Sequence, residues 1–282
     1  MPSRSALMAA VARAAHLEVD QSPFLFEDVL ARRLLGTEAD DLLSYHHTNG
    51  SHPVLMGTRL VVTARARYAE DRLADAVAGG IGQYVILGAG LDSFAYRSPL
   101  AAGLVVYEID EPDTSSWKRT VLDAVGISVP AGVRFVPTDL GTVSLIDRLV
   151  EAGFDRARPT FLSWLGVTMY LERSAIERTL RAAARLAPGS ELVFDHLLPP
   201  PQRDAAGAEY ASLAEPVNTA NGEPWITSLG LAEVRMSLAQ TGLEAAAQPL
   251  LREWVAESYW QRSDAIRPSR LWAAAHAHVP GS

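Results

Sequence analysis

The sequence predicts an α/β fold in which a doubly wound, mostly parallel, seven-stranded sheet follows a cap of N-terminal helices. Three observations support this prediction. From about residue 80 onward, short apolar runs alternate with segments of helical composition, which is typical of a parallel sheet with helices on both faces. These runs are almost continuously apolar, as expected for strands that are buried on both faces. The first 79 residues, in contrast, contain mainly helical patterns.

The composition predicts a globular protein with a sizeable core, because 48% of the residues are hydrophobic and 21% are charged. Its 33 acidic residues outnumber its 25 lysines and arginines, which argues against a nucleic-acid partner, since phosphate contacts need a basic face. The absence of cysteine excludes disulfides, thiolate metal sites and a cysteine nucleophile. The N-terminal segment carries charges that a signal peptide lacks, and no apolar run reaches the ~20 residues of a membrane span. We therefore expect a cytoplasmic protein with no membrane partner.

Breaks in the helical pattern delimit the elements of the predicted cap. Ser22-Pro23 ends the first helix, and Gly36 ends the second. The polar stretch 45–52, which contains two adjacent histidines, is interpreted as a loop before the third helix. The predicted helices of the cap span residues 5–19, 27–35 and 60–78.

The core is predicted to occupy residues 80–282, and together with the cap (residues 1–79) it is expected to form a single domain, because no linker or repeat interrupts the chain. Residues 199–225 contain several prolines and show little periodicity, and we interpret them as an insertion or lid. The predicted strands span residues 84–87, 104–109, 133–136, 160–164 and 192–194, with two more near 243–250 and 270–278. The predicted helices of the core span residues 113–125, 143–152, 174–187 and 230–241.

A glycine pair follows the first predicted strand directly, in the order Gly88-Ala89-Gly90-Leu91-Asp92. Glycines at this position let the backbone turn tightly and approach a ligand closely. A glycine pair alone is weak evidence, because turns between strands and helices use glycine in any case.

An acid at the end of the second predicted strand strengthens the case for a nucleoside site. Asp110 stands twenty residues after Gly90, where an acid is typical of sites that hold the hydroxyls of a ribose. Glu108 shares its face of the strand, because side chains alternate. Two carboxylates there repel each other, so we expect one to reach solvent at the strand tip, and Asp110 is our choice.

The glycine turn also separates two classes of cofactor. A dinucleotide site uses a third glycine so that a helix packs closely beneath the pyrophosphate. This chain has Asp92 in that region, and a carboxylate suits an ammonium group better than a phosphate. S-Adenosylmethionine carries an amino group and a sulfonium and has no phosphate. The turn therefore favours S-adenosylmethionine over NAD.

Asp139 and Leu140 follow the third predicted strand, in register with the other two sites. In a nucleoside pocket, Asp139 would reach the exocyclic amine of adenine and Leu140 would lie against the ring. Asp139 also precedes a helical segment, so a helix N-cap is the alternative interpretation.

The remaining candidates include three histidines, of which one could serve as a general base. His46 and His47 lie in the predicted loop, and His196 ends the fifth strand, where we expect it to face the same crevice. Trp164 and Tyr170 are candidates for lining an acceptor pocket, with the core as the alternative place for each. The spacing of histidines and acids favours no metal site, and no catalytic residue is assigned.

Several ordered segments resemble a known family. They resemble the leucine carboxyl methyltransferase family, and within it the bacterial O-methyltransferases associated with polyketide and other natural-product pathways. Because the segments cover most of the chain in order, they are more specific together than any one of them. The segments that carry the resemblance are residues 64–71, 83–93 and 107–112, with further matches at 12–17, 138–140, 166–171 and 187–190.

This resemblance implies a class I methyltransferase fold, S-adenosylmethionine as cofactor, and a carboxylate or hydroxyl as methyl acceptor. It also implies that Arg65 pairs with the carboxylate of the cofactor. The other cofactor contacts that it implies are Gly88, Gly90 and Asp92 at the methionine moiety, Asp110 at the ribose, and Asp139 with Leu140 at the adenine.

The chain departs from the family pattern at two points. Leu165 stands where many members have an acid before the glycine, so a cofactor contact by that acid is absent here. Phe94 stands where members often have arginine at this point or shortly after, and whether Arg97 substitutes is open.

We predict an S-adenosylmethionine-dependent O-methyltransferase that acts on a small molecule, with its acceptor and oligomeric state unspecified. A carboxylate acceptor needs no base, whereas a phenol with a pKa of about 10 would profit from one. A cofactor-binding scaffold without turnover is one alternative. A nicotinamide-dependent oxidoreductase is another, but its Tyr-x-x-x-Lys pair is missing, since Ser174 follows Tyr170 four positions later.

Overall fold

The computed structural model describes residues 3–138 and 144–281. Within them, seven strands form one sheet in the order β3-β2-β1-β4-β5-β7-β6. The first five strands of this order are parallel, and β7 is antiparallel to both β5 and β6. The strands are β1 (Gln83–Leu87), β2 (Val105–Asp110), β3 (Val133–Pro137), β4 (Thr160–Trp164), β5 (Glu191–Leu197), β6 (Glu244–Ala247) and β7 (Trp272–His278).

The mostly parallel, seven-stranded sheet confirms the predicted fold class. Each apolar run became a strand because its side chains are removed from water on both faces: all five residues of β1 and all five of β4 are buried. The order of the chain reverses between β1 and β4. In an open α/β sheet, ligands bind outside the carboxyl ends of the strands at such a switch point.

Helices cover both faces of the sheet, so that each face has its own apolar core. In one core, side chains of the long helix Pro53–Ala78 pack against Tyr84, Ile86 and Phe161. The other joins three later helices to the alternate side chains of the same strands. The helices are α1 (Arg4–Val19), α2 (Ala31–Leu34), α3 (Ala39–Asn49), α4 (Pro53–Ala78), α5 (Phe94–Arg97), α6 (Pro112–Ala124), α7 (Leu145–Glu151), α8 (Arg173–Ala183), α9 (Ala205–Ala220) and α10 (Leu231–Thr241).

The N-terminal helices α1 to α3 form a third apolar cluster, which includes a residue of the glycine turn. Ala10 and Ala14 of α1, Ala31 of α2 and Leu43 of α3 belong to it, and Leu91 packs into the same cluster. The helices that precede α4 therefore contact the segment that connects β1 to α5.

Two local predictions were wrong, and the segment 199–225 is more regular than its sequence pattern indicated. The predicted loop at 45–52 belongs mostly to α3, because His46 is buried against Arg59 and the helix continues through it. The predicted helix at 27–35 is reduced to the four residues of α2. Residues 199–225 include the 16-residue helix α9, which Asp204 caps by accepting the N–H of Gly207 at 2.7 Å.

The division into a cap and a core stays a prediction. Among the helices in residues 3–138 and 144–281, none is long and apolar enough to cross a membrane.

Candidate cofactor site

The glycine turn follows β1 and crosses to the end of β2. The N–H groups of Gly88 and Ala89 both donate to the carbonyl of Ile109, at 2.9 and 3.0 Å. Gly88 and Gly90 have φ angles of 68° and 46°, which side chains disfavour. A Cβ on Gly88 would lie 2.6 Å from a methyl of Val167. Only glycine therefore fits, and Gly88 keeps its backbone exposed at the carboxyl edge of the sheet.

Asp110 lies directly beside this turn. Its Oδ2 accepts the N–H of Gly90 at 2.6 Å, and its Oδ1 accepts the N–H of Glu111 at 2.8 Å. Burial raises the pKa of Asp110, and these two backbone N–H groups oppose the rise. The carboxylate therefore holds the turn against the tip of β2 and stands at the crevice.

Glu108, the other acid of β2, is buried beside a lysine, which offsets its repulsion by Asp110. Its Oε2 lies 2.7 Å from Nζ of Lys118 on α6, and both side chains are almost fully buried. Burial raises the pKa of Glu108, and the charge of Lys118 opposes the rise. Lys118 thus permits two carboxylates on one face of the strand, and Asp110 is the more exposed of the two, as expected.

Arg65 extends from α4 over the ends of β4 and β5. Its Nη1 donates to Oδ2 of Asp195 at 3.3 Å, and 15% of its side chain is exposed. Its guanidinium lies on Gly166, where three of its atoms are 2.3 to 2.6 Å from the position a Cβ would take. Gly166 has a φ of 71° and follows β4 after one residue.

Asp195 is a residue that sequence reasoning missed. Its carboxylate is fully buried, and its Oδ1 accepts the N–H of Gly166 at 2.6 Å. Its own carbonyl accepts the hydroxyl of Thr168 at 2.7 Å. The signal was present in the sequence, because Asp195 is an acid near the carboxyl end of a parallel strand, as Asp110 is.

The structure brings most of the predicted site residues to one edge of the sheet. Val167 joins them, since it follows the glycine beneath Arg65 and contacts Gly88. The turns after β1 and β4 therefore touch, with Asp110 on one side and Arg65 on the other. Asp139 and Leu140 lie outside the described residues.

Asp92 ends the turn and faces a group of buried charges. Its Oδ1 accepts the N–H of Phe94 at 2.8 Å at the start of α5. The charged groups around Asp92 are those of Arg13, Asp28, Glu70 and Arg97. We call these four residues, together with Asp92, the turn network.

The turn network ties four segments of the chain to the loop. Arg13 of α1 donates to the carbonyl of Leu91 at 2.6 Å and to Asp28 at 2.7 Å. Arg97 of α5 pairs with Glu70 of α4. Burial raises the pKa of Glu70 to about 7, with Asp92 and Asp28 adding to the rise and Arg97 opposing it. The loop is therefore held by a hydrogen bond from Arg13, whose guanidinium is fixed in turn by its ion pair with Asp28.

The three candidate histidines are not brought to this edge. His196 was expected to face the crevice, but it is buried with its Nδ1 3.0 Å from the carbonyl of Leu229, and burial lowers its pKa to about 4. Burial and Arg59 lower the pKa of His46 to about 4 as well. His47 is exposed and pairs with Glu18 at 2.9 Å.

Aromatic side chains lie beyond Arg65. Tyr170 is hydrogen-bonded to Trp225, and burial raises its pKa while Trp225 and Arg65 oppose the rise. Trp225 in turn stacks with Tyr210 at a ring-centroid distance of 6.4 Å. Trp164, in contrast, is a core residue with no exposed surface.

Comparison with known sequences identifies the family. Residues 6–184 match the leucine carboxyl methyltransferase family. The protein YktD of Bacillus subtilis, named as a candidate S-adenosyl-L-methionine-dependent methyltransferase, is 32% identical over 216 residues, which cover 69% of this chain and 70% of that protein. This chain belongs to the leucine carboxyl methyltransferase family. The predicted family is thereby confirmed.

Other relatives match a shorter part of the chain. A protein of Mycobacterium sp. (strain JLS), with the same kind of name, is 40% identical over 146 residues, which are 51% of this chain and 46% of that protein. The chain thus spans about half the length of the mycobacterial relative.

Solved structures share the fold. A candidate methyltransferase from Thermobifida fusca has a TM-score of 0.62 at 18% identity, covering 97% of this chain and 94% of its own. Human N-acetylserotonin methyltransferase, solved in complex with S-adenosylmethionine, has a TM-score of 0.52 at 13% identity. The match covers 99% of this chain and 68% of that protein.

Proposed function

We propose that this protein transfers the methyl group of S-adenosylmethionine to a carboxylate or hydroxyl oxygen of a small molecule. The observation that carries the proposal is the glycine turn at the switch point of the sheet, in which Gly88 is exposed, with Asp110 beside it and Arg65 across from it. The names of the curated relatives support the same cofactor.

The residues of the site suit each part of this cofactor. Arg65 would hold the carboxylate of the methionine moiety, since a guanidinium binds carboxylates with two parallel hydrogen bonds. Gly88, Gly90 and Asp92 would line that moiety, and Asp110 would bind the ribose hydroxyls. Asp139 and Leu140 are proposed for the adenine from the sequence alone. When bound, S-adenosylmethionine supplies a methyl group on a sulfonium, which is an excellent leaving group.

The charges beneath the turn favour a cationic cofactor. The turn network contains three carboxyl groups, Asp28, Glu70 and Asp92, and two guanidinium groups, Arg13 and Arg97. Asp92, the carboxyl group of this network that lies in the turn itself, suits the ammonium and sulfonium of S-adenosylmethionine and repels the pyrophosphate of NAD.

A carboxylate is the acceptor that this site accommodates most easily. His46 and His196 are buried away from the turn, so neither stands where an acceptor would be deprotonated. A carboxylate is ionised at neutral pH and needs alignment rather than a base. Tyr170 near Arg65, and Trp225 beside Tyr170, would supply the apolar surface that aligns a natural-product acid of polyketide type.

The helices outside the sheet would cover this acceptor. Ala6 of α1 lies over Gly90, 2.9 Å from the position a Cβ would take there. Ser3, the N-cap of α1, donates to Glu223 at 3.0 Å, which joins the cap to the 199–225 segment. We propose that these two elements together exclude water from the reacting groups.

The test is a binding measurement followed by a transfer assay. Isothermal titration of the full chain is expected to show binding of S-adenosylmethionine and none of NAD. Incubation with methyl-labelled S-adenosylmethionine is then expected to label small carboxylic acids more readily than phenols. Binding of NAD alone would refute the proposed cofactor, and binding without transfer to any acid or phenol would favour a scaffold.

A further inference from the structure

We infer that Gly166 and Asp195 set the position of the Arg65 guanidinium, and that they are therefore positioning residues for the carboxylate of the cofactor. This inference rests on the proposed function. It assigns a role to two residues that lie beside Arg65 and are not part of the glycine turn.

Gly166 provides the surface on which the guanidinium lies. The atoms Nη2, Cζ and Nη1 of Arg65 are 2.3, 2.6 and 2.6 Å from the position of a Cβ on Gly166. Real Cβ atoms do not approach other heavy atoms so closely, so any side chain at position 166 would displace the whole planar group. The guanidinium therefore occupies its place because position 166 has no side chain.

Asp195 holds the guanidinium from the side. Its buried carboxylate receives Nη1 of Arg65 on one oxygen and the N–H of Gly166 on the other. Because both oxygens are engaged and Asp195 lies within β5, the carboxylate has a fixed place. The same acid thus positions both the glycine surface and the arginine that lies on it.

A held arginine binds an anion better than a free one. Arginine has a long, flexible side chain whose freedom is lost when it binds, and a side chain that is already fixed loses less. The contact with Gly166 lies at the carboxyl edge between β4 and β5, next to Val167 and the exposed Gly88. Gly166 and Asp195 thereby direct Arg65 to the same edge of the sheet as the glycine turn.

The first test is the substitution Gly166→Ala, compared with Gly126→Ala. Gly126 has a φ of 66°, close to the 71° of Gly166, but nothing lies within 4 Å of its Cβ position. Both variants therefore carry the same backbone strain, and only one displaces a neighbour. In isothermal titration, Gly166→Ala is expected to weaken S-adenosylmethionine binding about tenfold, roughly the loss of one charge-assisted hydrogen bond, with Gly126→Ala unchanged.

The second test is a double-mutant cycle with Arg65→Ala. If Gly166 acts through Arg65, then Gly166→Ala causes no further loss of affinity in the Arg65→Ala background. Urea unfolding without cofactor provides the matching measurement. Gly166→Ala is expected to cost less stability in the Arg65→Ala background, because the methyl then enters vacated space.

A variant of Asp195 keeps the test open should Gly166→Ala fail to fold. Asp195→Asn retains an oxygen for the N–H of Gly166 and removes the charge that holds Arg65. We expect a several-fold loss of affinity that disappears in the Arg65→Ala background.

The outcomes separate the two proposals. A wild-type protein that binds no S-adenosylmethionine would refute the proposed function and this inference with it. A wild-type protein that binds normally, with losses at positions 166 and 65 that simply add, would overturn the inference alone. Equal losses for Gly166→Ala and Gly126→Ala would do the same.

Discussion

Arg65 and Arg67 stand two positions apart on α4, and only Arg67 has an acid four positions later, Asp71. The structure gives them different partners. Arg67 donates to Asp71 at 2.9 Å and to the hydroxyl of Tyr259 at 3.0 Å, and it is 37% exposed. Arg65 lies at the carboxyl edge against Asp195. The guanidinium of Arg67 is therefore paired with other side chains, whereas the guanidinium of Arg65 faces the site.

This difference predicts how substitutions at the two positions affect affinity. Arg65→Lys keeps the charge and loses the planar fork, so S-adenosylmethionine binding should weaken by about 1 kcal/mol, and Arg65→Ala should weaken it by about 2–3 kcal/mol. Arg67→Lys and Arg67→Ala are the matched controls and should change binding little. Isothermal titration measures all four. Equal losses at both positions would indicate general electrostatics rather than a specific carboxylate contact.

At the scale of secondary-structure elements, charged side chains hold the glycine turn in place. α1 supplies Arg13, which donates to the loop carbonyl of Leu91, and an ion pair joins Glu70 of α4 to Arg97 of α5 beside the loop. A buried acid with a raised pKa makes the stability of such a set of contacts depend on pH. Glu70 is that acid.

The pH dependence of stability should therefore change when Glu70 is replaced. Its pKa is raised from 4.5 to about 7, so the folded protein holds a proton that the unfolded chain releases. The stabilisation from this proton is complete below about pH 4.5 and is lost as the pH rises towards 7, a difference of about 3 kcal/mol at 1.36 kcal/mol per pKa unit. Glu70→Gln should accordingly gain stability relative to the wild type between pH 5 and pH 8.

Urea unfolding of both proteins at these two pH values measures the effect. Glu209→Gln, at an exposed position on α9, is the control for loss of one negative charge. Parallel pH profiles for the wild type and Glu70→Gln would show that Glu70 titrates alike in the folded and unfolded states.

At the scale of the whole molecule, the cap and the core share contacts along the glycine turn. Leu91 belongs to the same cluster as Leu43 of α3, and Arg13 of α1 donates to the carbonyl of Leu91. Such contacts favour unfolding of cap and core as one unit, which is the thermodynamic content of the single-domain prediction.

Two substitutions test whether the cap and the core unfold together. Leu43→Ala in the cap and Leu238→Ala on α10 each remove a side chain with no exposed surface, and each should cost about 2–5 kcal/mol. All six tryptophans follow residue 80, and of these Trp117 packs against the cap cluster, so the fluorescence of a Trp117→Phe background is used to report the core. Leu43→Ala is expected to shift the urea midpoint by fluorescence as much as by circular dichroism. A shift seen only by circular dichroism would mean that the cap unfolds independently.

The sequence by itself determined the sheet and the residues that follow its strands. Buried strands require continuous apolar runs, and parallel strands bring their carboxyl ends to one edge, so Gly88, Gly90 and Asp110 were predictable from spacing. Helix boundaries were less predictable. The prolines near the alanine-rich α9 obscured its helical pattern, and α3 continued through a polar stretch because His46 packs against Arg59.

Only the tertiary structure decided which charged groups meet. Arg65 and Asp195 are 130 positions apart, and no local pattern links them. Their pairing depends on α4 crossing the ends of β4 and β5, and on Gly166 leaving room for the guanidinium. His196 illustrates the same point, because alternation along β5 turns it away from the side on which Asp195 holds Arg65. Backbone signals act over a few residues, whereas burial and ion pairing depend on how the whole chain packs, and this packing decided which residues of the edge face the site.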